Sequence, residues 1–106
     1  MGRISNLSPI VIFAYRRNID KTIESLLSNT LAKESELFIF SDGYKNINDK
    51  NDVLYARRSL KQINGFKSIT IYESEKNKGL ANSIIDGSTK IINNYGRTIV
   101  LEDDLI

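Results

Sequence analysis

Residues 9–15 read PIVIFAY, a run in which Pro9 and Tyr15 bracket an unbroken apolar stretch. Alternation of apolar and polar residues would mark a strand with one wet face. An unbroken run instead marks a strand buried on both faces, the habit of parallel sheets covered by helices. Three further runs share this character: 37–41 (LFIFS), 68–72 (SITIY) and 98–101 (TIVL). The four begin near residues 10, 37, 68 and 98, about thirty residues apart, the length of one strand–helix–strand unit. The segments between them have helical period. Ile19, Ile23, Leu26 and Leu27 make one stripe, with Asn18 or Asp20 as N-cap. Residues 49–64 carry Val53, Leu54, Leu60 and Ile63 and stop at Gly65. Leu80, Ala81, Ile84, Ile85, Ile91, Ile92 and Tyr95 share a third face, closed by Gly96. Gly87 inside that helix costs about 1 kcal/mol against alanine, so close approach of the helix to the sheet is expected there. With right-handed crossovers, this string predicts an α/β fold: an open, mostly parallel sheet with helices on both faces.

Composition narrows the chemistry. The 106 residues suit one domain, and they include no Cys, no His and no Trp. Disulfide scaffolds, Cys/His zinc sites, thiol nucleophiles and Ser-His-Asp triads are thereby excluded. Carboxylates, Arg, Lys, Tyr, backbone amides and an oxygen-liganded cation are left. Fifteen Lys and Arg against thirteen Asp and Glu give a net charge of +2, with the signs interspersed. The doublets Arg16-Arg17 and Arg57-Arg58 fall short of a nucleic-acid-binding run. No apolar stretch approaches the ~20 residues of a membrane span, and no signal-peptide core opens the chain. A cytoplasmic protein is expected, with peripheral attachment to the inner face of the membrane compatible with that reading.

In open parallel sheets, ligands bind beyond the C-terminal ends of the strands. Tyr15, Arg16 and Arg17 follow the first strand, and Asp42-Gly43 the second. Glu73 and the loop to Asn77-Lys78-Gly79 follow the third, and Glu102-Asp103-Asp104 the fourth. Three consecutive acids after a buried strand repel one another unless a cation sits there; the plainer reading is a solvated loop or a helix cap. All-oxygen ligands suit a hard cation such as Mg²⁺ or Mn²⁺, usually shared with phosphates. Asp42-Gly43 reads equally as a turn and as an acceptor for a heterocycle N–H. Arg16 and Arg17 are a solvated pair or an anion clamp. Asn77 to Ala81 opens a helix, where the macrodipole favours negative charge. Neither a dinucleotide fingerprint nor a P-loop is present.

The ordered set AYRR (14–17), SDG (41–43), NKGLANS (77–83) and VLEDD (100–104) resembles the nucleotide-binding half of GT-A-fold glycosyltransferases. Its flavour is that of the family-2-like and N-acetylglucosaminyltransferase-I-like group, and the resemblance runs over nearly the whole chain. It implies a sheet of four strands in the order 3-2-1-4. It also implies a metal-dependent transfer of sugar from a nucleotide sugar, UDP-linked.

Residue by residue, the resemblance makes Asp104 the ligand of Mn²⁺ or Mg²⁺ bridging the donor diphosphate. It puts Asp103 near the ribose and Glu102 beside them. Asp42, with Gly43 next to it, corresponds to the acid that recognises uracil. Ala14, Tyr15 and Arg16 would line the base and ribose side, and Asn77, Gly79 and Asn82 the sugar and diphosphate side. It further implies that the acceptor half, with the general base, lies beyond Ile106, and that this chain alone supplies the donor site. The exposed edge of the fourth strand would then favour self-association. Two other readings share the architecture. A sugar-nucleotidyltransferase-like domain would want a glycine-rich loop after the first strand, and AYRR has no glycine. A non-catalytic binding or oligomerisation module would leave the acids solvated.

Overall fold

A computed structural model of the chain describes residues 9–16, 18–28, 30–96 and 99–102, the last of these as backbone. The chain runs β1 (Ile10–Ala14), α1 (Asp20–Leu27), a 3-10 turn (Thr30–Glu34), β2 (Glu36–Ser41) and α2 (Ile47–Leu60). It continues through β3 (Ser68–Glu73), α3 (Leu80–Tyr95) and β4 (Ile99–Glu102). β1 pairs parallel with β2 from Ile10↔Leu37 to Ala14↔Ser41, and β2 with β3 from Glu36↔Ser68 to Ser41↔Glu73.

The unbroken apolar runs divide their side chains between two cores, as a strand's period of two requires. Ile10, Ile12 and Ala14 of β1 join Leu37 and Ile39 of β2 under α1 and α2, with Ile19, Ile23 and Leu60 completing the cluster. Val11, Phe13 and Phe38 face the other way, onto Ile91 of α3, with Phe40, Tyr72 and Ile84 partly buried around them. The close approach expected at Gly87 is present: a Cβ there would lie 2.7 Å from Phe13 Cε1 and 3.1 Å from Phe40 Cδ2.

The expected fold, an open four-stranded layer of GT-A type with helices on both faces, is corrected to an α/β core packed on three parallel strands, β1, β2 and β3, the fourth being described as backbone alone. Both clusters draw their strand residues from β1, β2 and β3 alone among the described side chains. The backbone of Ile99–Glu102 hydrogen-bonds parallel to β1 on its far side, giving the order β3-β2-β1-β4. Nor are all strands covered on both faces. β3 is only half-buried along its length because it is an edge strand.

Helix boundaries also move. α2 starts at Ile47, capped by Asn46, whose side chain accepts from the Asn48 and Asp49 amides at 2.9 and 3.3 Å. It ends at Leu60, so Gly65 lies in the following loop. The N-cap of α1 is Ile19 and not Asn18 or Asp20; Asn18 Oδ1 accepts the Asp20 amide at 2.7 Å from just before it. Several residues assigned to apolar stripes are exposed: Leu27, Leu54, Ile85, Ile92 and Tyr95.

Candidate functional site

The C-terminal ends of β1, β2 and β3 lie side by side, and the loops after β2 and β3 are tied together by one carboxylate. Asp42, directly after β2, is buried. Its Oδ1 accepts the amides of Gly43 (2.9 Å) and Lys78 (2.8 Å). Its Oδ2 accepts the Gly79 amide (3.0 Å) and Asn77 Nδ2 (3.2 Å). Asn77 Nδ2 also donates to the Gly43 carbonyl at 2.8 Å. The SDG stretch is therefore more than a turn: it clamps the β3–α3 loop onto β2. Glycine at position 43 is required by that clamp, since a Cβ would lie 2.7 Å from the Lys76 carbonyl carbon and 3.0 Å from the Ser74 oxygen.

A second cluster fixes the end of β1. The Tyr15 hydroxyl donates to Asp49 Oδ2 and accepts the Lys45 amide at 3.3 Å. Arg16 Nη1 donates to Asp49 Oδ1 at 2.9 Å, while its side chain stays about half exposed. Burial and the Asp49 hydrogen bond push the Tyr15 hydroxyl above its ordinary pKa. The Tyr15 hydroxyl, followed by the Arg16 charge, holds the Asp49 carboxyl below the usual carboxylate range.

Arg57, from α2, braces the ends from beneath. Its Nε donates to Ser41 Oγ (2.8 Å), and its Nη2 reaches the carbonyls of Ser41 (3.2 Å), Asp42 (3.2 Å) and Ser74 (2.8 Å). Its side chain is only 13% exposed.

Between these clusters lies a cavity of about 150 Å³. Phe13 and Phe40 contribute aromatic wall, their rings stacked at 5.4 Å. Ala14 and Tyr15 close one side, Lys45 another, and Asp42, Asn77, Gly79 and Ser83 the α3 side. Gly79 is the N-cap of α3 and supplies no side-chain cap, so the first-turn amides of a sixteen-residue helix face outward for water or an anion. A wider cavity of about 340 Å³ adjoins it across Asp42, Phe40 and Ser83, with Tyr72, Lys78, Asp86 and Lys90 on its rim.

Comparison with known protein families, with curated proteins and with solved structures finds no match. The site therefore stands on its geometry.

Of the residues singled out from sequence, Ala14, Tyr15, Asp42, Asn77 and Gly79 come together around the smaller cavity. Arg16 stands beside it through Asp49. Gly43 is spent on packing, and Asn82 Nδ2 turns back to the Lys78 carbonyl at 3.0 Å. Arg17, Asp103 and Asp104 lie outside the described residues, and Glu102 is described as backbone, in register with Phe13. Among the described residues no group of three or more acids, His or Cys could hold a metal. No helix among them is long and apolar enough to cross a membrane. Sequence reasoning missed Lys45 in the loop before α2, Asp49 and Arg57 in the first and last turns of α2, and Ser83 in the first turn of α3; only the fold brings them to the strand ends.

Proposed function

We propose that the chain binds a nucleotide sugar, UDP-linked, and supplies the donor site of a metal-dependent glycosyl transfer. The observation that carries this reading is the small cavity at the strand ends, with aromatic wall on one side and fixed polar groups on the other. A planar base needs that combination, because its faces are apolar and its edges carry donors and acceptors. In this reading the base lies against Phe13 and Phe40. Tyr15, held in one rotamer by Asp49 and the Lys45 amide, borders the ribose. Arg16 keeps half of its guanidinium in solvent and can turn N–H groups toward a diphosphate.

Asp42 already accepts four donors, about as many as a carboxylate's lone pairs allow. It takes a uracil N–H only by releasing one of these, and the Asn77 contact is the longest. Its main contribution is then to hold Gly79 and the start of α3 against the ligand.

The residues that would hold Mn²⁺ or Mg²⁺ are Asp104 and its neighbours Asp103 and Glu102. Their donor chemistry fits a hard cation, since the chain offers oxygen ligands and neither His nor Cys. Bound there, the cation would neutralise charge on the departing nucleoside diphosphate.

Calorimetric titration of the chain with UDP, with and without Mn²⁺, tests the reading. The expected result is UDP binding that Mn²⁺ strengthens and that Asp104→Ala weakens by roughly tenfold or more. Absence of UDP binding, or binding indifferent to both metal and Asp104, overturns it.

A further inference from the structure

Helix α2 carries apolar side chains on both of its faces. Val53, Ala56 and Leu60 are buried against the sheet, with Asp49 turned toward Tyr15 and Arg16. At about 100° per residue, the opposite face centres on Arg58 and Asn51, with Ile47 and Leu54 beside them. Ile47 is 72% exposed and Tyr55, on the flank, 59%. Leu54 and, just before the helix, Tyr44 are exposed as well. Arg58 is the charge at the centre of this face, and Lys50 and Lys61 stand on one flank of it. The exposed acid of this helix, Asp52, lies toward the side, and Lys61 also meets Glu73 of β3 at 3.6 Å. Lys50 Nζ lies 5.9 Å above the Tyr44 ring, and the Arg58 guanidinium 5.6 Å above Tyr55.

Aliphatic and aromatic side chains with long basic arms folded over them are the composition of a membrane interface. The rings and aliphatic groups enter the headgroup boundary while the cations stay at the phosphates. We propose that the outward face of α2 docks on an anionic lipid surface. A second copy of the chain fits this face poorly. A two-fold contact uses the same patch on both copies, so the basic residues of one face would meet the basic residues of the other as like charges. A protein partner needs roughly 800 Å² per side for a stable complex, whereas one helix of fourteen residues is only about 21 Å long. A lipid surface sets no such minimum, and its charge is complementary. The inference is independent of what the strand-end cavity binds.

Sedimentation of the whole chain with vesicles decides the matter. Binding is expected to phosphatidylglycerol-rich vesicles and not to phosphatidylcholine alone, with release as salt is raised. Loss of each basic residue should weaken binding roughly fivefold, so Lys50→Glu with Arg58→Glu should nearly abolish it. Ile47→Asp should weaken it too, whereas Ile92→Asp, an exposed apolar site on α3, should leave it unchanged. All four positions are exposed enough for the variants to fold, which circular dichroism checks. No sedimentation with anionic vesicles, equal binding to neutral ones, or unaltered binding by the α2 variants overturns the proposal. So does a concentration-dependent dimer that Ile47→Asp dissolves, which would assign the face to a second copy.

Discussion

Replacing Arg57 by leucine would strip one donor group from four acceptors at once: the Ser41 hydroxyl and the carbonyls of Ser41, Asp42 and Ser74. Buried acceptors left without partners cost roughly 1–3 kcal/mol each where water cannot reach them. Partial rehydration trims the total, and a loss of roughly 3 kcal/mol in urea unfolding is expected. Arg57→Lys should recover only part of it, because a single ammonium cannot span two strand ends. An Arg57→Leu protein as stable as the parent would refute the brace. Asp42→Asn keeps the shape but turns one acceptor oxygen into a donor facing amide N–H groups. Hydrogen exchange at Lys78 and Gly79 should then quicken by roughly tenfold or more, the worth of one charge-assisted bond. The two residues were unequally legible. Asp42 follows an apolar run, and strand ends are where ligand chemistry gathers. Arg57 is half of an ordinary basic doublet, and its acceptors lie 15 to 17 residues away; no local pattern announces that.

At the scale of elements, α3 shows what periodicity can and cannot deliver. Seven apolar positions read as one face, yet among the described side chains the sheet takes only the Ile84, Gly87 and Ile91 side of it. Ile85 and Ile92 are 62% and 45% exposed. An apolar stripe wider than its contact surface gives no sign of which edge is buried; that is decided by where β1 and β2 place their aromatic rings. Tyr95 stays near the contact through Phe38, edge-on at 5.6 Å, and through Glu36, which accepts its hydroxyl at 3.1 Å. β1 and β2 are legible for the opposite reason, since runs such as IVIFA leave no face polar, whereas β3 is only half-buried. Gly87 joins the two elements. Gly87→Ala should gain about 1 kcal/mol of helix propensity. Against that, its methyl would sit 2.7 Å from the edge of Phe13, a ring only 2% exposed and stacked on Phe40. Overpacking a fixed ring costs typically 1–3 kcal/mol, so a net loss of roughly 1 kcal/mol is expected in thermal unfolding. A stabilised variant would mean that α3 can lift from the sheet freely.

For the whole molecule, stability should form a plateau bounded by tyrosines on the alkaline side and by Asp49 on the acid side. The chain has no histidine to interrupt it. Tyr15 and Tyr95 are both raised in the fold, first by burial and then by hydrogen bonds to Asp49 and Glu36. The folded chain therefore holds these protons more tightly than the unfolded one. Their contribution is complete below the unfolded tyrosine value of about 10 and drains away as pH climbs through the folded values. Asp49 is lowered, first by the Tyr15 hydroxyl, so its contribution is complete above the unfolded carboxylate value of about 4 and drains away as pH falls through the folded value. Tyr15 thus acts at both limits, and one substitution addresses them together. Tyr15→Phe removes an alkaline titration and, by the same stroke, the largest cause of the Asp49 shift. Its alkaline limb should be shallower than the parent's, with Tyr95 still titrating, and its acid limb shallower too, because Asp49 then differs less between the folded and unfolded chains. Arg16→Gln should flatten the acid limb in the same way but less, since Arg16 ranks below Tyr15 among the causes at Asp49. Thermal melts across the acid, neutral and alkaline ranges measure all three proteins. Superimposable profiles for parent and Tyr15→Phe would show that the hydroxyl–carboxylate pair at the end of β1 does not persist in solution.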